Sequence, residues 1–159
     1  IMCLMDKVFV SGTFGGELLS IAASIATIDK LISSNALPKI RSFGHRIKHE
    51  LNLIFKMHSI DNNLHIGGED WRPVLKINNV DVHKQLVINI LRNELAKNGL
   101  IFGSGFNICL AHVEEGEPLI NNTVNAWDKA VALLRDALKS ENPTGFIDGK
   151  IVNDIFQVR

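Results

Sequence analysis

The segment INNTVNAWDKAVALLRDALK, residues 120–139, decides the fold class of this chain. Its apolar side chains recur at three- and four-residue steps, which is the spacing of one face of an α-helix. The members of this stripe are Ile120, Val124, Trp127, Val131, Leu134 and Leu138. Because the period is kept without interruption, the sequence predicts a long helix from about residue 118 to residue 139, with one buried face.

Three further segments carry the same helical period. Residues 17–33 predict a helix whose apolar stripe is Leu18, Ala22, Ile25, Ile28 and Ile32. Residues 38–58 predict a second, which has Pro38 in its first turn and the stripe Ile40, Phe43, Ile47, Leu51 and Ile54. A third is predicted from the cap Asp81 to the ending Asn98-Gly99, and its inward residues are Val82, Leu86, Ile90 and Leu91.

Short apolar runs between the helices predict strands. Residues 74–77 are expected to form one, and residues 100–102 and 106–112 are expected to pair with each other across the turn GSG. The polar stretch 61–70, DNNLHIGGED, is expected to be a connection. This order predicts an α+β fold, in which helices pack on one face of a small, mainly antiparallel sheet.

The totals exclude several classes of function. The 159 residues are 46% apolar and 21% charged, which is ordinary for a globular domain. Seventeen basic residues balance seventeen acidic ones, so no overall field attracts nucleic acid or a membrane surface. The cysteines Cys3 and Cys109 form no CxxC pattern, and the apolar N-terminal run is short, which together predict a reduced, cytoplasmic protein.

The loop VSGTFGGELL, residues 10–19, leads from an apolar run into the first predicted helix. The first N–H groups of a helix lack internal partners and carry partial positive charge, so a phosphate can bind there. Three glycines would let the backbone approach it closely. The same glycines also suit an ordinary turn, and the loop matches neither GxGxxG nor the P-loop pattern, so the residues alone leave both interpretations open.

The histidines have both a chemical and a structural interpretation. His45 and His49 are four residues apart, as two ligands of one metal would be, but no third ligand is evident and a solvated basic face is favoured. His112 precedes Glu114 and Glu115, which suggests an acid/base pair, although a histidine at the end of a strand is the simpler interpretation. No metal site is predicted.

Trp71 and Arg72 follow the sequence GGED, near the middle of the chain. A guanidinium group offers a planar fork of donors, so Arg72 could bind a carboxylate. It could equally stack on the indole ring of Trp71 at the surface. The chain has no GxSxG motif and no Ser/His/Asp arrangement, so no catalytic residue is predicted from the pattern.

Three blocks of the sequence resemble the C-terminal part of class III pyridoxal-phosphate-dependent aminotransferases, and within them the glutamate-1-semialdehyde aminomutase-like members. In order, the blocks are FVSGTFGGELLSIAASIATIDKL, NGLIFGSGFNICLAHVEE and NNTVNAWDKAVALLRDAL. The resemblance covers nearly the whole chain. It implies that residues 1–33 are the end of the large domain of a fold-type I enzyme, with its connecting helix, and that residues 34–159 are the C-terminal small domain.

The resemblance also implies a cofactor site. In that family the Gly-Thr of this loop binds the phosphate of the pyridoxal 5'-phosphate that belongs to the neighbouring subunit of a dimer, and the matching residues are Gly12 and Thr13. The Schiff-base lysine and the carboxylate that pairs with the pyridine nitrogen lie upstream in the family. This chain alone is therefore expected to be inactive, and the full-length protein is expected to be a homodimer with a small amino or keto substrate.

The reaction type remains open between alternatives. Aminomutase-like sequences carry a longer loop, with a glutamate just before the Gly-Phe that corresponds to Gly105-Phe106, whereas this chain has the shorter FGSGF. An aminotransferase that acts on another amino, keto or sugar-derived substrate fits at least as well. The alternative from another class is a non-catalytic remnant that acts as a dimerisation or binding module.

Overall fold

The computed structural model describes residues 17–78, 80, 82–103, 105–149 and 151. These residues form an α+β fold of five helices and one two-stranded antiparallel sheet, with a short 3₁₀ turn, so the predicted fold class is confirmed. The elements are α1 (Leu18–Ser33), α2 (Ala36–Met57), β1 (Leu64–Glu69), β2 (Arg72–Ile77), α3 (Lys84–Lys97), α4 (Leu110–Glu115), α5 (Glu117–Lys139) and the 3₁₀ turn (Pro143–Phe146). The chain divides into two units, Ile1–Leu37 and Pro38–Arg159.

In the first unit, the predicted helix is present as α1, one residue shorter at its start than expected. None of its residues is buried. The apolar stripe that the sequence predicts is largely exposed, with Ile25 at 56% and Ile28 at 54%. The assignment of this unit to the end of a larger domain stays a prediction.

In the second unit, the core lies between α2, α3, α5 and the sheet. The stripe predicted for α2 is buried along its whole length, and on α5 four of the six predicted positions are buried while Val124 and Leu138 are partly buried. Helix α3 contributes Ile90 and Leu91 as expected, and also Val87 and Leu95. Burial of these faces supplies the main driving force for folding, since each fully buried aliphatic side chain contributes about 1.5–3 kcal/mol.

An aromatic cluster stands at the centre of this core. Trp127 of α5 is fully buried, and its ring packs edge-on against Phe102 at 5.0 Å and against Phe55 at 5.9 Å between centroids. Phe106 completes the cluster at 6.2 Å from Trp127 and 5.2 Å from Phe102. Such aromatic pairs add to the burial of area because the edge of one ring is attracted to the face of the next.

The sheet is a β-hairpin in which Leu64 pairs with Ile77 and Glu69 with Arg72. The prediction of strand structure at residues 74–77 is confirmed within β2, but the prediction that residues 61–70 are only a connection is wrong, because β1 lies inside that stretch. Leu64 and Ile66 alternate inward around the exposed His65, which is the period of a strand. The pattern is hard to recognise in the sequence, because it is short, lies among polar residues and is followed by two glycines.

The predicted pairing of residues 100–102 with residues 106–112 is also wrong. Gly105 instead bridges to Val74, and the N–H groups of Phe106 and Ile108 donate to the carbonyls of Pro73 and Trp71 at 2.8 Å and 3.1 Å. The segment therefore extends the hairpin along the outer edge of β2, which offers unpaired carbonyl groups. From residue 110 the chain is helical, as α4, rather than extended.

The remaining helix boundaries agree closely with the sequence. Helix α5 begins at Glu117 after Gly116, whose φ of 63° makes the corner between α4 and α5. Helix α3 ends at the C-cap Asn98, followed by Gly99 with φ of 79°, as expected. The predicted cap Asp81 lies outside the described residues, and the side chain of His83 caps α3 by accepting from the N–H of Gln85 at 3.2 Å.

Gly44 allows α2 to approach the hairpin turn. A Cβ atom at this position would collide with the backbone carbonyl of Asp70, and the Cγ1 of Ile108 would be only 3.3 Å away. No other residue type fits this close approach between helix and turn without moving the backbone.

We expect Gly44→Ala to lower the free energy of unfolding by roughly 1–3 kcal/mol, since overpacking forces backbone shifts. The matched control is Gly103→Ala, because a Cβ at Gly103 meets no heavy atom within 4 Å. Urea unfolding followed by circular dichroism measures both. Equal stability of the two variants would contradict the close approach described here.

Candidate functional site

The residues predicted to bind the cofactor, Gly12 and Thr13, lie outside the described residues. The phosphate-binding role of the loop therefore stays a prediction. The structure does describe the start of α1, whose first N–H groups are predicted to contribute to anion binding.

Glu17 is the N-cap of α1. Its carboxylate accepts from the N–H of Leu19 at 2.9 Å and from the N–H of Ser20 at 2.6 Å, and the Ser20 hydroxyl also donates to it at 2.6 Å. Bonds from the Ser20 side chain, the Ser20 amide and the Leu19 amide hold the pKa of this carboxyl below its usual range. Two of the amide groups that an anion would use are thus already occupied by an acidic side chain, so a phosphate would depend on the groups of Gly12 and Thr13.

The histidines of α2 face different carboxylates. His45 Nδ1 lies 3.7 Å from Asp70 Oδ1, whereas His49 Nδ1 lies 4.0 Å from Glu50 Oε1. Both imidazoles are exposed, at 72% and 62% of their side-chain area, in agreement with the favoured interpretation of a solvated face. Among the described residues there is no group of three His, Cys, Asp or Glu side chains arranged to hold a metal ion.

The polar side of α2 holds the hairpin in place. Lys48 donates to the Gly68 carbonyl at 2.8 Å and to Asp70 at 2.9 Å, and this ammonium group is the main reason why the pKa of Asp70 is lowered. Asn52 accepts from the N–H of Ile66 at 2.9 Å and donates to its carbonyl at 3.0 Å, as a neighbouring strand would. These contacts give the charged residues of α2 a structural role.

Trp71 and Arg72 lie at the hairpin turn. Trp71 is 48% exposed, and its carbonyl accepts from Ile108 as described above. Arg72 is exposed at the start of β2, opposite Glu69. The carboxylate-binding role of Arg72 stays a prediction.

His112 contacts Cys109 rather than an acidic neighbour. Its Nδ1 accepts from the backbone N–H of Cys109 at 3.1 Å and lies 3.2 Å from the thiol Sγ. Because Nδ1 is an acceptor, the neutral ring carries its proton on Nε2. The interpretation of His112 as a strand-end residue is wrong, since it belongs to α4 and caps the first turn of that helix.

A cavity of about 200 Å³ lies beside this turn, and we call it the aromatic cavity. Its walls come from α2, from the segment that extends β2, and from the start of α5. The residues that define it here are Phe43, Phe102, Phe106, Ile108, Leu119 and Thr123, with His112 also on its lining.

Sequence reasoning missed Thr123, the buried polar residue of this cavity. Thr123 is 4% exposed and lies one helical turn before Trp127, on the same face of α5. The sequence could have indicated this residue, because a threonine four residues before Trp127 lies on the buried face of the predicted helix. The phenylalanines of the wall gave no such signal, because their meeting depends on the pairing of residues 105–108 with β2.

Comparison of the chain with protein families, with curated proteins and with solved structures finds no match. Within the described ranges, no helix has both the length and the apolar character needed to cross a bilayer.

We expect the carboxyl carbon of Glu17 to titrate below 4.5 in a pH series of NMR spectra, together with the amide signals of Leu19 and Ser20. Since the native pKa is lowered, the cap stabilises α1 above the unfolded-state pKa, and this contribution is lost as the pH falls through the native value. Ser20→Ala should raise the pKa of Glu17, because it removes the largest contributor to the shift. Ser24→Ala is the control, since the Ser24 hydroxyl bonds the Ser20 carbonyl instead. An unchanged pKa in Ser20→Ala would contradict this cap.

Proposed function

We propose that this chain is the C-terminal part of a pyridoxal-phosphate-dependent aminotransferase. The observation that carries the proposal is the order and spacing of the three sequence blocks, which lie at residues 9–31, 98–115 and 121–138. The α+β architecture of the described residues is compatible with the small domain that the resemblance implies. Gly12 and Thr13 would bind the cofactor phosphate across the interface of a homodimer.

The chemistry of these two residues fits a phosphate. Thr13 has a hydroxyl and a backbone N–H that can both donate, and Gly12 has no side chain to obstruct an approaching anion. The cofactor, when bound, supplies an electron sink for moving an amino group. The part of this chain is to orient the phosphate, while the lysine that anchors the cofactor is expected in the preceding sequence.

The same carboxylate that caps α1 restricts where the phosphate can bind. Glu17 is four residues after Thr13, and its lowered pKa keeps it negatively charged near neutral pH. A dianionic phosphate beside this carboxylate would be repelled. The binding groups therefore have to come from Gly12 and Thr13 and not from the first turn of α1, which makes Thr13 the residue to test.

For the reaction, transamination of an amino, keto or sugar-derived substrate is favoured over the glutamate-1-semialdehyde 2,1-aminomutase reaction. The reason is the short FGSGF sequence, which lacks the glutamate that the aminomutase-like members carry before the matching Gly-Phe. We further propose a cytoplasmic location and no nucleic-acid partner, in keeping with the balanced charge of seventeen basic and seventeen acidic residues.

A second candidate is a non-catalytic dimerisation or binding module. The observation that favours it is the exposed apolar stripe of α1, which includes Leu18 at 80% and Ile32 at 73%. Apolar side chains in such a row are a common feature of protein interfaces. This candidate requires no cofactor, so cofactor binding distinguishes the two.

The test is equilibrium dialysis of the 159-residue chain with pyridoxal 5'-phosphate, and in parallel with pyridoxal, which lacks the phosphate. We expect weak retention of the phosphorylated compound and none of pyridoxal, because the loop supplies phosphate contacts while the anchoring lysine is expected outside this chain. Thr13→Val should weaken this binding roughly tenfold, because it removes one hydrogen bond to a charged group and preserves the shape of the side chain. Ser11→Ala, two residues earlier, is the matched control and should have no effect.

Borohydride reduction of the same mixture, followed by peptide mapping, tests the expected absence of an anchoring lysine. Surface lysines should be labelled only in small and scattered amounts. Stoichiometric labelling of one lysine of this chain would contradict the claim that the reactive amine lies elsewhere. Equal retention of both compounds, or full binding by Thr13→Val, would contradict the phosphate site itself and favour the non-catalytic module.

A further inference from the structure

Every residue that lines the aromatic cavity belongs to the second unit, and the residues predicted to bind the phosphate are not among them. Three phenylalanine rings contribute to its walls, from Phe43 on α2 and from Phe102 and Phe106 in the segment next to β2. Leu119, Ile108 and three further aliphatic residues supply the rest of the apolar lining. A cavity of this composition favours a planar apolar group, because ring edges and faces attract a further ring.

Thr123 gives the cavity one polar group. Its side chain is 4% exposed and lines the cavity, yet its hydroxyl has no hydrogen-bond partner among the described residues. The usual solution for a threonine in a helix is a bond to the carbonyl four residues earlier, as Thr27 makes in α1 at 2.8 Å. Thr123 does not make it. The Thr123 hydroxyl is not one of the fully buried atoms that lack a partner, so it keeps accessible surface and is free to exchange a hydrogen bond with a ligand in the cavity.

The size of the cavity limits its ligand. Engineered apolar cavities of about 150 Å³ bind benzene. A cavity of about 200 Å³ therefore has room for one six-membered ring and a small substituent, and not for a nucleotide or a lipid chain. His112, at the edge of the lining, adds a second polar group that a substituent could reach.

We propose that the second unit binds a small monocyclic aromatic compound that carries one hydroxyl group, with its ring among Phe43, Phe102 and Phe106. The hydroxyl of the ligand exchanges a hydrogen bond with Thr123. This inference does not depend on the proposed aminotransferase function, since it requires neither the cofactor nor Gly12 and Thr13.

Trp127 provides a direct signal for this binding. Its ring contacts Phe102 and Phe106, both of which line the cavity, so a ligand there changes the surroundings of the cluster. Trp71 is the other tryptophan and is 48% exposed. The variant Trp71→Phe leaves Trp127 as the sole tryptophan of the chain. The carbonyl of residue 71 accepts from the N–H of Ile108, and the variant retains this backbone contact.

The experiment is a titration of the 159-residue Trp71→Phe chain with benzyl alcohol, with excitation at a wavelength that the ligand does not absorb. We expect a saturable change in Trp127 emission, with a Kd on the order of 1 mM, as is usual for a ligand of about eight non-hydrogen atoms. Toluene is the matched ligand, because it has nearly the same shape and no hydroxyl.

Thr123→Val separates the hydrogen bond from the apolar contact. It should weaken benzyl alcohol binding about fivefold and leave toluene binding within about twofold, because it removes the hydroxyl and keeps the volume. Retained toluene binding also shows that the variant is folded. Asn122→Ala is the matched control, since the neighbouring Asn122 does not line the aromatic cavity, and it should leave the binding of both ligands unchanged.

Two results would overturn the proposal. One is a linear, unsaturated response of Trp127 emission to benzyl alcohol up to about 20 mM, well above the Kd expected for such a ligand. The other is an equal effect of Thr123→Val on benzyl alcohol and toluene, which would remove the role of the hydroxyl. Neither result bears on cofactor binding, so failure here is distinguishable from failure of the aminotransferase proposal.

Discussion

The burial of Trp127 among three phenylalanine rings is the contact on which the second unit depends. It joins α5 to Phe55 of α2 and to Phe102 and Phe106 of the segment between α3 and α4, and these parts of the chain are far apart in sequence. These contacts bring the segment after α3 next to β2, where it pairs with the edge of the hairpin. Two of these rings, Phe102 and Phe106, also form part of the wall of the aromatic cavity.

A second constraint positions the hairpin that receives this segment. Gly44 lets α2 approach the turn at Asp70, while Lys48 and Asn52 bind the polar groups of the turn and of β1. These two polar side chains of α2 therefore have a structural role. His45 and His49 remain exposed on this helix, and among the described residues no third His, Cys, Asp or Glu side chain joins them in an arrangement that could hold a metal ion.

The four long helices could be predicted from the sequence, since α2 and α5, for example, repeat their apolar residues for several turns. The short helix α4 could not, because its six residues follow an apolar run that is typical of a strand. The sheet could be predicted only in part. Strand β1 is short and contains two glycines. Residues 105–108 pair with β2 and the hairpin turn, some thirty positions earlier in the chain, which no local pattern reveals. The sequence suggested an acid/base pair of His112 with Glu114 or Glu115, whereas His112 contacts Cys109. Thr123 was not predicted to be a site residue. Gly12 and Thr13 remain predictions, since they lie outside the described residues.

Both the core of the second unit and the aromatic cavity depend on the burial of Trp127 in the aromatic cluster. Its indole N–H is buried and has no hydrogen-bond acceptor among the described residues, whereas Trp71 is 48% exposed. The most direct measurement is hydrogen exchange of the two indole protons, followed by NMR in heavy water. We expect the Trp127 proton to exchange at least about 100-fold more slowly than that of Trp71, because its exchange requires opening of the core. Rates within a few-fold of each other would contradict the packing on which both the fold and the cavity depend.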